Sequence, residues 1–205
     1  MTPTPEPALG FALVGTALYA LAFTSIFRDR DTRLHAEEWI VENIPPGSVV
    51  GVDGPDRFSD PFVDPERYRI HVLPVYQLYN DTTRRVFPGT GPVTALLGKR
   101  VRTSDGVVAD ADAVLAPWIE EHLEADYLVL SNRLSEQADR ADGAFARIRE
   151  YYQRLGDRNG RFQMVKQFRS QPALWRFALD DSGAEHTFRI FDHPTITIYK
   201  RTPGG

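Results

Sequence analysis

The sequence predicts an α/β protein in two parts: a single N-terminal transmembrane helix, then a layered α/β domain with a mixed sheet and a C-terminal β-hairpin. One observation is the charge distribution, because 51 of the 52 charged residues follow Phe27. Another is the alternation of β-branched runs with helical segments in the rest of the chain. A composition of 42% hydrophobic and 25% charged residues is typical of folded domains. We therefore predict an N-terminal tail at 1–7, a transmembrane helix at 8–27 and a soluble α/β domain at 28–205.

The apolar run at 8–27 is apolar on every helical face and contains no charged side chain. At about 1.5 Å per residue, a helix of about 20 residues spans the hydrocarbon core of a bilayer. A buried core helix and a cleaved signal peptide are the two alternatives, the latter because Ala20-Leu21-Ala22 resembles a cleavage site. Prolines at 3, 5 and 7 occupy the place of the basic region that signal peptides carry. The flanks therefore favour a retained membrane helix.

The first helix and strand of the soluble domain follow directly. Residues 32–44 have apolar side chains at helical spacing, and Asp31 or Thr32 can cap the N-terminus. Pro45-Pro46-Gly47 ends the helix, and the β-branched run at 48–53 predicts a buried strand.

Later segments continue the alternation. Residues 70–79 fit either a strand or a short helix. A helix is expected at 113–125, with Asp112 as its N-cap, and the nearly continuous apolar run at 126–131 predicts a central strand covered on both faces. Residues 144–155 have the apolar spacing of a third helix. The last predicted elements are a strand at 162–168 and a hairpin formed by 187–191 and 195–200 around Asp192-His193-Pro194.

Several function classes are excluded or unsupported. The chain has no cysteine, which excludes disulfides, thiolate metal sites and cysteine nucleophiles. It contains no nucleophile elbow, phosphate-binding loop or dinucleotide fingerprint, and its five histidines do not have metal-binding spacing. A net charge of −4 argues against a nucleic-acid partner. We therefore predict no catalytic residue, no metal and no cofactor, and a structural role for His193 in its turn.

Acidic residues follow the first predicted strand. Asp53, Asp56 and Asp60 are the candidate substrate-binding residues, because open α/β sheets bind ligands at the carboxyl ends of their strands. Two of these carboxylates would suit acid–base chemistry, and a solvated loop is the alternative. Asp110-Ala111-Asp112 has the D-x-D form of some metal sites, but helix capping by Asp112 explains it more simply.

A set of segments in a fixed order carries a family resemblance. The chain resembles the last membrane helix and C-terminal soluble domain of multi-pass prokaryotic glycosyltransferases, the protein-mannosyltransferase-like group that uses polyprenyl-phosphate sugars. The likeness extends from about Leu9 to Arg201. After the apolar helix, it is carried by Asp31-Thr32-Arg33, Ala36-Glu37-Glu38-Trp39-Ile40, Asn43-Ile44-Pro45-Pro46-Gly47-Ser48, Ala125-Asp126-Tyr127-Leu128-Val129-Leu130-Ser131-Asn132-Arg133, Tyr151-Tyr152, Phe191-Asp192-His193-Pro194 and Ile198-Tyr199-Lys200-Arg201.

The resemblance implies a location and a role. In that family the soluble domain lies outside the cytoplasmic membrane, and catalysis depends on acidic residues in an early loop and on many membrane helices. No residue here matches that catalytic motif, so none is carried over, and Gly54-Pro55-Asp56-Arg57 departs from the family pattern. A fragment, a split gene product and an independent anchored domain all fit.

Orientation is the point on which charge and resemblance disagree. Arg28, Arg30 and Arg33 follow the apolar run and no basic residue precedes it, which by the positive-inside rule favours a cytoplasmic domain. The resemblance implies an extracytoplasmic domain on a single-pass protein of the plasma membrane, and this is the orientation we predict.

We therefore expect a non-catalytic domain that assists acceptor or lipid-sugar binding. The lipid bilayer and a multi-pass glycosyltransferase subunit are its expected partners. The alternative is a stand-alone anchored envelope module that binds an unknown ligand. A small hydrolase that uses the acidic loop is a third reading.

Overall fold

The computed structural model describes residues 6–53, 59–73, 123–140, 146–155, 157 and 160–203. This part of the chain has mixed α/β content, with one long apolar N-terminal helix and a five-stranded mixed sheet. The helices are α1 (Glu6–Thr24), α2 (Thr32–Asn43), α3 (Asn132–Arg140) and α4 (Ala146–Arg154). The strands are β1 (Val49–Val52), β2 (Arg69–Val72), β3 (Tyr127–Ser131), β4 (Phe162–Phe168), β5 (Ala173–Leu174), β6 (Phe177–Ala178) and β7 (Ile196–Arg201).

Helix α1 is long and apolar enough to cross a membrane by length and composition. Only 11% of its most apolar 18-residue stretch is buried, which contradicts the alternative of a core helix. A signal sequence has the same length and apolar composition, so that alternative is still open. A 3-10 turn, Ser25–Phe27, continues the helix toward the domain. Ala22, near the end of α1, and Ile26, in the 3-10 turn, are buried, and the Ala173 amide donates a 2.8 Å hydrogen bond to Ser25 Oγ. The end of α1 is therefore packed on the α/β part of the chain.

Helix α2 begins and ends as its sequence predicts. The Asp31 carboxylate accepts a 2.8 Å hydrogen bond from the Arg33 amide, which caps the N-terminus. Ala36 and Ile40 are buried on the face toward the sheet. After the helix, Gly47 adopts a φ of 82°, a left-handed conformation that glycine adopts at little cost.

The five-stranded sheet has the order β2-β1-β3-β7-β4. Strand β1 is parallel to β2 and β3, and β7 is antiparallel to both β3 and β4. At one edge Ile196, the first residue of β7, pairs with Ser131 and with Phe168, the last residues of β3 and β4. The carboxyl ends of β1, β3 and β4 therefore meet at this edge.

The centre of the sheet confirms the predicted central strand. All five residues of β3 are buried, between β1 on one side and β7 on the other. Gly51 in β1 faces this strand so closely that an added Cβ would lie 2.6 Å from Leu128 Cδ2 and 3.3 Å from Ala125 Cβ. Strands β1 and β3 thus pack through a position that has no room for a side chain.

Two other predictions from the sequence are not confirmed by the structure. The predicted C-terminal hairpin is not confirmed: its second strand is β7, but Phe188–Asp192 forms a π-helical turn in place of the first. Side-chain contacts explain this, because Glu185 accepts a hydrogen bond from the Phe188 amide and starts a helical turn. The helix expected at 113–125 falls mainly on residues outside the described ranges, and its last three residues are not helical.

Candidate functional site

A polar cleft of about 360 Å³ opens at the sheet edge where β3 and β4 end and β7 begins. The end of β3, the first turn of α3, helix α4 and the segment around the π-helical turn surround it. Leu130 is the one aliphatic residue among the described lining residues. The others are Ser131, Asn132, Ser135, Glu136, Tyr152, Gln167, Arg169, Ser170, Asp181, Ser182, Arg189, His193, Thr195, Thr197 and Tyr199.

The first carboxylate cluster of the cleft is centred on Asp181. Its Oδ2 lies 2.7 Å from His193 Nε2, and its Oδ1 accepts a 3.3 Å hydrogen bond from Arg169. Burial alone would raise the pKa of Asp181, but the His193 hydrogen bond and the Arg169 charge hold that pKa below its ordinary value. The His193 ring packs edge-on against Phe188, with centroids 4.5 Å apart. Asp181 is thus an ionised group held in place at one wall.

The second cluster is centred on Glu136 of α3. Asn132 donates a 2.7 Å hydrogen bond to its Oε1, His186 Nδ1 lies 3.2 Å from its Oε2, and Arg189 forms an ion pair with it. Asn132 Oδ1 also accepts a 3.0 Å hydrogen bond from the Thr195 amide. This asparagine therefore joins the start of α3 to the residue before β7 and fixes the cleft wall.

Charge in the cleft is balanced. Glu136 and Asp181 are matched by Arg169 and Arg189, and serine and threonine hydroxyls make up much of the remaining lining. The side chains of Tyr152 and Tyr199 add partly apolar surface to the cleft. Burial first, and the charge of Asp53 second, raise the pKa of Tyr199. Tyrosine hydroxyls in this cleft therefore remain protonated at neutral pH and are able to donate hydrogen bonds.

The sequence-predicted residues Asp53 and Asp60 lie together at the end of β1, beside the cleft. Asp53 is 2% exposed, and neither carboxylate oxygen has a hydrogen-bond partner among the described residues. Burial first, and the Asp60 charge second, raise the pKa of Asp53 well above its usual value, against the opposing effect of the Tyr152 hydroxyl. Burial also raises the pKa of Asp60 to about 6, against a hydrogen bond with Ser131.

The pair borders the cleft through shared neighbours. Ser131 and Tyr152, which interact electrostatically with Asp60 and Asp53, both line it, although neither aspartate is itself among the described lining residues. Burial, with the Asp53 charge next, raises the pKa of Tyr152 well above its usual value. Asp56 falls outside the described ranges, as do Asp110 and Asp112. Within those ranges, no group of three or more histidine, aspartate or glutamate side chains is arranged to hold a metal ion.

Sequence reasoning missed most of the cleft. It applied the strand-end rule to β1 alone, and the same rule applied to β3 would have selected Ser131 and Asn132. The structural role predicted for His193 is consistent with its bond to Asp181, and the same residue lies on the cleft wall. No sequence signal marks Glu136 or Asp181, since their neighbours in the cleft come from distant segments.

Comparison with family models, with curated proteins and with solved structures finds no match for this chain. The fold and the cleft therefore carry the functional argument, and the resemblance to membrane glycosyltransferases stays a prediction.

Proposed function

We propose that this protein is a membrane-anchored domain that binds a saccharide in the polar cleft and assists a membrane glycosyltransferase. The carrying observation is the cleft itself, a charge-balanced and hydroxyl-rich space at the carboxyl edge of the sheet. Its ligand would be the sugar of a lipid-linked donor or a glycan acceptor. The family resemblance supports this direction, and a stand-alone envelope binding module is the alternative for the same cleft.

The lining chemistry favours a neutral polyol over an anion. Carboxylates of Glu136 and Asp181 accept hydrogen bonds from sugar hydroxyls, and the guanidiniums of Arg169 and Arg189 donate them. Because the two charge types match, a phosphate or carboxylate ligand would gain little net attraction. A ligand with many hydroxyl groups would instead satisfy donors and acceptors of both kinds.

The apolar helix α1 favours a ligand that is bound at a membrane surface. Helix α1 would hold the cleft near the bilayer surface, because its last turn and the 3-10 turn that follows it pack on the domain through Ala22 and Ile26. We propose that α1 spans the plasma membrane once and that the domain is extracytoplasmic. The three arginines after the helix oppose this orientation, so a topology reporter fused after residue 205 is the appropriate measurement.

Acid–base hydrolysis is the second candidate function. The observation that favours it is the Asp53–Asp60 pair, with one carboxyl fully buried and the pKa of Asp60 raised to about 6. Against it, the described lining of the cleft includes neither aspartate. Hydrolysis of aryl glycosides that disappears in both Asp53→Asn and Asp60→Asn, with folding intact, would favour this candidate over binding alone.

The test of saccharide binding uses the full chain in lipid nanodiscs. Saturation-transfer NMR with mannose, glucose, galactose and N-acetylglucosamine should show transfer to at least one sugar. A cleft-filling variant, Ser135→Trp, should abolish it, because Ser135 lines the cleft. The matched control is Gln153→Trp, at an exposed position of α4 outside the cleft lining.

Two outcomes would reject the proposal. One is the absence of transfer to any sugar by a folded, membrane-bound chain. The other is equal transfer to the two tryptophan variants, which would place binding outside the cleft.

A further inference from the structure

An aromatic hairpin lies beside the end of α1. Strands β5 and β6 form it, and Trp175 at its tip is 94% exposed while Phe177 is 63% exposed. Trp175 adopts a φ of 57°, a left-handed conformation that costs a bulky residue on the order of 1 kcal/mol or more. Packing against the described residues therefore does not explain why Trp175 is exposed and held in this conformation.

The position of this hairpin relates it to the bilayer. Its first residue, Ala173, donates its amide to Ser25 Oγ in the turn that ends the apolar segment. The hairpin therefore lies at the level where the membrane helix would leave the hydrocarbon core. Tryptophan is enriched at this depth in membrane proteins, because its ring is apolar with one polar group. The Arg176 guanidinium lies 5.6 Å from the centroid of the Phe177 ring, which leaves a cation at the same tip.

A basic groove of about 620 Å³ adjoins the hairpin. Arg28, Arg30, Lys166 and Arg169 line it, together with Asp29 and His35. Arg30 pairs with Glu38 and Arg169 with Asp181, so Arg28 and Lys166 are the groove cations without a carboxylate partner among the described residues. The groove lies immediately after the membrane helix, where the phosphates of a bilayer surface would be.

We propose that the β5–β6 hairpin and the basic groove dock the soluble domain on the bilayer that α1 spans. Trp175 and Phe177 enter the boundary between headgroups and acyl chains, and Arg28 and Lys166 contact the phosphates of anionic phospholipids. This inference rests on the proposed function only in taking α1 as a membrane helix. Docking would fix the height and tilt of the saccharide cleft above the membrane.

The experiment exploits the absence of cysteine in the chain. Ala178→Cys, next to Phe177, and Glu42→Cys, exposed in the last turn of α2, each receive an environment-sensitive fluorophore in the full chain. Nanodiscs contain phosphatidylcholine, with or without phosphatidylglycerol, and doxyl-labelled lipid as a quencher. We expect emission at position 178 to be blue-shifted and quenched several-fold more than at position 42.

Two sets of variants separate the aromatic and the charged contributions. Trp175→Ser combined with Phe177→Ser should remove most of the quenching at position 178. Arg28→Gln combined with Lys166→Gln should remove the increase that phosphatidylglycerol produces, whereas the control pair Arg69→Gln and Lys200→Gln, both exposed and outside the groove, should keep it. Inorganic phosphate added to phosphatidylcholine nanodiscs should not mimic phosphatidylglycerol, and if it does, the headgroup assignment is wrong.

Carbonate extraction of membranes from cells that express the chain keeps the two proposals distinguishable. A chain that carbonate releases would reject α1 as a membrane anchor and with it the proposed function. A chain that stays in the membrane, with equal and weak quenching at positions 178 and 42, would reject docking alone.

Discussion

His193 Nε2 and Asp181 Oδ2 lie 2.7 Å apart at the wall of the cleft, and both side chains are almost fully buried. The bond joins the segment before the π-helical turn to the segment after it. Removing one partner leaves a buried polar group unsatisfied, which costs about 1–3 kcal/mol. The pair therefore has a structural role in holding the cleft, whatever ligand the cleft binds.

Asp181→Asn should lower the free energy of unfolding by about 1–3 kcal/mol, because the charged hydrogen bonds to His193 and Arg169 are lost. Denaturant unfolding of the detergent-solubilised chain measures this. Asp157→Asn, at an exposed position, is the matched control and should leave stability unchanged. An Asp181→Asn variant as stable as the control would mean that the pair contributes nothing to the fold.

The pH dependence of stability follows from the buried aspartates. Asp60 has its pKa raised from 3.8 to about 6 in the folded chain, so folding favours its protonated form. This contribution is present below about pH 4 and is lost as the pH rises through 6, with a cost of about 3 kcal/mol above that range. The raised pKa of Asp53 extends the loss to higher pH. Asp31 and Asp181, whose pKa values are lowered, contribute stability above about pH 4 and lose it only as the pH falls below that value.

The full-length chain should therefore unfold at a higher temperature at pH 5 than at pH 8. Asp53→Asn should reduce this difference, because it removes a carboxyl whose charged form has no hydrogen-bond partner within the described residues. Thermal unfolding followed by circular dichroism across this pH range is the measurement. A wild-type chain with a flat profile would contradict the burial of these carboxyls.

The sheet could be predicted from the sequence better than the cleft could. The apolar run at 126–131 is specific because a strand covered on both faces leaves no polar alternation, and β3 matches it closely. The cleft residues, by contrast, come from β3, from the end of β4 and the residues just after it, from α3 and α4, and from the segment at 181–199, and only the folded sheet edge brings them together. The sequence identifies Asp53 and Asp60 as candidates because both follow the first predicted strand closely along the chain. Glu136 and Asp181 have no comparable local signal.

Leu128→Asp should destabilise the domain by several kcal/mol, because it places an unpaired carboxylate in the centre of the sheet at a fully buried position. The same change at an exposed strand position, Gln163→Asp, is the control. Chemical denaturation measures the stability of both variants, and equal stability of Leu128→Asp and Gln163→Asp would contradict the central position of β3.

Gly51→Ala should lower the free energy of unfolding by about 1–3 kcal/mol, because the added Cβ would clash with Leu128 and Ala125. Chemical denaturation measures this change as well.

Truncations should distinguish the exposed apolar part of α1 from its packed end. Removing residues 1–20 deletes the exposed stretch 9–20 and keeps Ala22 and Ile26, and it should give a soluble, folded domain. Removing residues 1–28 also deletes Ala22 and Ile26, whose burial contributes about 2–4 kcal/mol. The longer truncation should therefore melt at a lower temperature, and equal melting temperatures would mean that the end of α1 does not pack on the domain.

The isolated chain should transfer no sugar from a polyprenyl-phosphate donor, with or without magnesium or manganese. Such transfer requires a cavity for a long lipid and fixed charges around the phosphate, and α1, the single candidate membrane span among the described residues, cannot enclose that cavity. An assay with purified chain, labelled lipid-linked sugar and a candidate acceptor measures turnover. Turnover that Asp110→Ala abolishes, with folding intact, would reveal a catalytic metal site at the D-x-D sequence.

The central claim is that the cleft binds a saccharide, and calorimetric titration of the full chain in nanodiscs tests it most directly. The sugar that gives the strongest NMR response is titrated into the wild-type chain, Ser135→Trp and Gln153→Trp. The account predicts saturable binding to the wild-type chain and to Gln153→Trp, and no measurable heat with Ser135→Trp. Saturable binding of equal affinity to all three proteins, or to none of them, would contradict it.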